Sequence, residues 1–131
     1  MSMDIALAWT DERRIALFRI DGPQVLQPAA ERIAAAIEAA ADAGAKGLVV
    51  DFKDVEGIDP PDLAMRQIVV RRWAEAARSR LHLAMVVRED FIDPERFAVV
   101  AAANFGLVGN VFENQADALE WLRSVLPPPA A

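Results

Sequence analysis

Residues 47–52, GLVVDF, are apolar without the alternation of a half-buried strand, and this run constrains the chain more than any other stretch. A strand that is apolar on both sides has to be covered on both faces, as an inner strand of a parallel sheet is by helices above and below. The flanking segments have that helical character. Before the run, QPAAERIAAAIEAAADAG carries Pro28 near its start, strong helix formers throughout and Gly44 just past the last turn, which predicts a helix over 27–43. After it comes the acidic loop DFKDVEGIDPPD and a second helical segment over about 62–79. At 100° per residue Met65, Val69, Val70, Trp73, Ala76 and Ala77 fall on one side of that helix. Gln67, Arg71, Glu75, Arg78 and Ser79 fall on the other, with Ile68 among them.

The remaining chain continues the alternation. IALAW (5–9) and RIALFRI (14–20) flank the polar tetrad TDER and read as a β-hairpin. LHLAMVV (81–87) reads as a strand, and DPERFAVVAAANFG (93–106) as a helix opened by Asp93 with Pro94 in its first turn. LVGNVF (107–112) is a fifth strand, and ENQADALEWLRSVL closes with a fourth helix whose core side is predicted as Leu119, Trp121, Leu122 and Val125. The order β-β-α-β-α-β-α-β-α implies an α/β sandwich with a central mixed, mostly parallel sheet of about five strands and about four helices. A chain of 131 residues accommodates one such domain, placed at 1–126, with a flexible proline-rich tail at 127–131. The outer hairpin strand is an edge at which a second copy could pair into a homodimer.

Composition removes most function classes. There is no cysteine and one histidine, His82, so thiol nucleophiles, Ser/His and Cys/His catalysis, zinc sites and iron–sulfur clusters are excluded; no catalytic residue, metal or cofactor is expected. The net charge of −6 repels polyphosphates and anionic membranes, which argues against nucleic acid. One local exception is a set of arginines within one segment, Arg66, Arg71, Arg72, Arg78 and Arg80, which could form a basic patch for a phosphate or lipid headgroup, although a charged helix face is usually just solvated. No GxGxxG or GxxxxGK loop occurs, and no signal peptide or run of about 18 apolar residues, so the chain reads as cytoplasmic without stable membrane insertion.

The loop DFKDVEGIDPPD holds Asp51, Asp54, Glu56, Asp59 and Asp62 against Lys53 alone. Acids after a parallel strand can serve magnesium or phosphoacceptor chemistry, but the acidic pair and late lysine of a receiver domain are missing. The adjacent prolines have a structural reading. Pro60 is biased to an extended conformation by the proline after it, and Pro61 is pre-set for a first helical turn, so the pair makes a rigid strand-to-helix corner.

The element order and this stretch together resemble the STAS family, the fold of bacterial anti-sigma factor antagonists and of the cytoplasmic domains of sulfate transporters. The antagonists carry a pattern like LDLSGVxFMDSSGL, and LVVDFKDVEGIDPPDL follows it without a gap, with Asp51 on the strand-end acid, Val55 on the apolar anchor, Asp59 on the motif's acid and Leu63 on its leucine. The family's phosphorylated serine is replaced by Pro61, the preceding serine by Pro60 and the glycine by Asp62. From Asp11 to Arg78 there is no Ser, Thr or Tyr, so a phosphate switch at this helix start is ruled out. The final stretch VFENQADALEWL is similar to the subgroup grouped with CRAL-TRIO lipid carriers.

Two functional readings follow. In the first, the chain is a non-enzymatic, regulatory protein-binding module, contacting a partner through Asp59, Pro60, Pro61, Asp62, Ile68 and Arg72. In the second, it carries or senses a small apolar ligand or lipid between sheet and helices near Met65, Trp73, Phe91 and Phe97. The second requires a cavity of several hundred Å³, on the order of a drug-sized pocket.

Overall fold

A computed structural model describes residues 5–10 and 14–127. The TDER connection, apart from Thr10, and the proline-rich tail beyond Pro127 lie outside the described residues. Strands β1 (Ala8–Thr10) and β2 (Ile15–Arg19) pair antiparallel, as the hairpin reading requires. β4 (Gly47–Asp51), β6 (His82–Val86) and β7 (Gly109–Phe112) then extend the sheet in parallel, in the order β1-β2-β4-β6-β7. All five residues of β4 are buried, which is what the unbroken apolar run demands of an inner strand.

The period of two along the strands divides the interior. Ala16, Phe18, Leu48, Val50, Leu83 and Met85 join the larger core, whereas Ile15, Val49, Ala84 and Val86 join the smaller one. Helix α1 (Leu26–Asp42) delivers Ala29, Ile33, Ala36, Ile37 and Ala40 to the larger core, where α2 (Leu63–Ala77) and α3 (Phe97–Asn104) follow it. The many alanines of α1 allow close approach, and Ile33 and Ile37 supply bulk; burying each isoleucine is worth about 1.5–3 kcal/mol. The other face is covered by α4 (Gln115–Val125) through Ala118 and Leu122. No helix among the described residues is long and apolar enough to cross a membrane.

Several boundaries differ from the sequence reading. A two-stranded parallel sheet, β3 (Gly22–Pro23) with β5 (Val55–Glu56), stands where loops were expected. It is anchored by the Gly22 and Gln24 amides donating to the carbonyls of Asp54 and Glu56 at 3.1 and 3.0 Å. α2 stops at Ala77 because Arg78 and Ser79 adopt positive φ of 48° and 58°. α3 starts at Phe97, four residues after Asp93, because residues 93–96 close a turn with Arg96 at φ 52°. At the C-terminus Val125 is exposed and Leu126 takes the buried place, since α4 ends there in extended backbone. Trp121 packs against Phe112 with ring centroids 5.7 Å apart, so the aromatic pair of VFENQADALEWL holds α4 to the sheet edge.

Candidate functional site

The corner after β5 is built by its own sequence. Ile58 is buried and its carbonyl accepts from Arg88 at 3.2 Å, Asp59 is exposed, and Pro60 and Pro61 are half-buried. Asp62 in extended backbone is the N-cap of α2, its Oδ1 accepting from the Met65 amide at 2.8 Å. Pro61 therefore precedes the cap and does not occupy the first turn, a correction to the sequence reading. Its carbonyl accepts from Arg66 Nε at 2.7 Å, which ties the corner to the helix it opens.

The acids of the loop separate. Asp51 is buried at the end of β4, accepting from the Lys53 amide at 3.1 Å and from Gln115 Nε2 at 2.6 Å. Asp54 pairs with Arg19 at 2.6 Å, and Asp62 is engaged by its cap. Among the described residues no three His, Asp or Glu side chains converge on a potential metal position.

On the outward face of α2, Ile68 is 61% exposed and Leu63 53% exposed, near the corner. The arginines expected to form a basic patch are mostly neutralised. Arg71 pairs with Glu75, Arg72 with Glu31 of α1, and Arg78 and Arg80 with Asp42. Arg72 is thus a flank of the proposed surface, drawn toward α1 with its Nε 3.1 Å from Glu31. Of the five, only Arg66 makes no ion pair with a described residue. An acidic groove of about 480 Å³ opens beside the corner, lined by Asp62, Leu63, Asp90, Ile92, Glu95 and Phe97 among others.

The residues assigned to an apolar ligand are only partly united. Trp73 and Phe91 line one cavity between α1, α2, α3 and the sheet; Met65 does not border it, and Phe97 borders the groove instead. Trp73 donates through Nε1 to the Ala30 carbonyl at 3.0 Å, and Phe91 meets Phe52 edge-on with centroids 5.6 Å apart. The cavity measures about 120 Å³, short of the several hundred expected of a carrier. Leu26, Ala29, Phe52, Val87 and Val111 complete much of its wall. These residues come from segments far apart in the chain, which is why no local pattern showed them.

Asp93 sits at the rim. The amides of Glu95 and Phe97 donate to its two oxygens, each at 3.0 Å, and with a smaller contribution from Arg66 they hold its carboxyl below the ordinary value of 3.8.

The order of the five strands, the division of three helices against one and the corner before α2 define the STAS fold of anti-sigma factor antagonists. An anti-sigma factor antagonist from Mycobacterium paratuberculosis shares it with a TM-score of 0.55 at 17% identity, over 92% of this chain and 95% of that one. The anti-sigma factor antagonist SpoIIAA in its unphosphorylated form does so with a TM-score of 0.50 at 15% identity, over 95% of this chain and 100% of that one. No family model matches the sequence, and no curated protein does.

Proposed function

We propose that the chain is a non-enzymatic regulatory module that binds a protein partner through the corner Asp59, Pro60, Pro61, Asp62 and the outward face of α2 around Ile68, with Arg72 at the flank. The observation that carries this reading is the exposure of Ile68 and Leu63 beside a corner made rigid by two prolines and a capped helix. A preformed surface loses little entropy on binding, and an exposed isoleucine gains most when a partner covers it. The neighbouring groove carries Asp62, Asp90 and Glu95, so a partner segment with basic and apolar side chains complements it. The two solved antagonists of the same fold support a protein partner by analogy. With Pro61 where the antagonists' serine stands, binding is independent of phosphorylation at this corner.

A photo-crosslinking residue at position 68, with one at position 120 on α4 as control, tests the surface in the living host. A discrete protein adduct at 68, absent at 120 and lost on Asp62→Arg, is the expected result. Equal labelling at both positions, or an adduct indifferent to Asp62→Arg in a folded variant, refutes it.

A further inference from the structure

We propose that the cavity between α1, α2, α3 and the sheet is a binding site for a small apolar monocarboxylate, its body in the cavity and its carboxylate on Arg66. Protein interiors are packed with few voids larger than a water molecule, and an unfilled apolar hole is unfavourable because its lining loses contacts on one side. This pocket, partly open to solvent, measures about 120 Å³ and is walled by Leu26, Phe52, Val70, Trp73, Met85 and Phe91. An engineered apolar cavity of about 150 Å³ takes up benzene, so the size fits one ring or a short branched chain.

The polar groups around the cavity select the ligand's head. The Trp73 N–H is already spent on Ala30, and both Asp93 oxygens are engaged by backbone amides. Arg96, also on the wall, is turned to the Asn110 side chain and the Val111 carbonyl. Arg66 is different: its Nε is held by Pro61, and no carboxylate of the described residues lies within ion-pair distance of it, Asp93 acting on it only at longer range. A fixed guanidinium fork matches a carboxylate bidentately. The acids Asp62, Asp90, Asp93 and Glu95 around the site repel a doubly charged phosphate head about twice as strongly as a singly charged carboxylate, which favours the latter. This site does not depend on the protein-contact reading.

Titration calorimetry and ligand-observed NMR on the full chain test the proposal with phenylacetate and 3-methylbutanoate, and with toluene as the neutral counterpart. At least one acid is expected to bind saturably with Kd below about 1 mM. Arg66→Gln should weaken it tenfold or more, and Arg71→Gln, whose arginine is paired with Glu75 away from the cavity, should not. Val99→Phe, which fills the cavity, should remove binding; Ala98→Leu serves if that variant does not fold. No saturable binding of either acid, equal affinity in Arg66→Gln, equal affinity in a folded filled variant, or toluene binding as tightly as phenylacetate each overturns it.

Discussion

The Asp62 carboxylate accepts one of the amides that α2 cannot satisfy from within, at 2.8 Å from Met65 N. Asp62→Ala should therefore lower stability by about 1 kcal/mol, read as a shift of the urea midpoint, while Asp62→Asn keeps most of it. Asp93 works on pH. Because two backbone amides lower its folded pKa, the unfolded chain takes up the proton first as pH falls. Its contribution is complete above the ordinary carboxylate value and is lost as pH drops through the lower folded value. Asp93→Asn should flatten the acid limb of a melting-temperature profile below about pH 4, and an unchanged slope would contradict the assignment. At this scale the loop chemistry was legible at Asp62, which the spacing put at a helix start. It misled at Asp93, where Asp93-Pro94 closes a turn instead of opening the helix, because Arg96 takes a left-handed conformation.

At the scale of elements, burial separates two isoleucines that hydropathy makes equal. Ile37 of α1 is fully buried and Ile68 of α2 is 61% exposed. Ile37→Ala should cost about 2–5 kcal/mol through lost transfer energy and the cavity left behind. Ile68→Glu should change stability by no more than about 0.5 kcal/mol in either direction, as substitutions away from packed contacts do. Denaturation of both variants in one urea series checks the pair. The helices and inner strands were readable because their periods of 3.6 and 2 persist over several turns or residues. The β3–β5 ladder was not, since two residues per strand carry no period, and the pairing joins positions more than thirty residues apart.

Across the whole molecule, the two cores share one sheet, so the α4 side is not independent of the α1, α2 and α3 side. Leu122 stands fully buried in the smaller core. Leu122→Ala should cost about 2–5 kcal/mol. In native-state hydrogen exchange the amides of β4 and β6 should lose protection by that same amount, through one global opening. Loss confined to α4 would show that it unfolds as a separate unit. Charge behaves as a property of the assembled molecule too. The arginine segment is basic only as text, because folding brings Glu31 and Asp42 from α1 to three of its members.

What the amino-acid order determined by itself is local or periodic: an inner strand at GLVVDF, amphipathic helices, a corner stiffened by Pro60 and Pro61, and the absence there of a hydroxyl to phosphorylate. Only the tertiary structure decided which charges are cancelled, that Trp73 and Phe91 share a cavity while Met65 and Phe97 do not, and that Arg66 stands at its edge without an ion pair to any described residue. The physical reason is range. Backbone conformation and periodic burial are set by neighbours a few residues away, whereas an ion pair or a cavity wall forms where distant segments meet and is invisible in any window of the chain that holds only one of them.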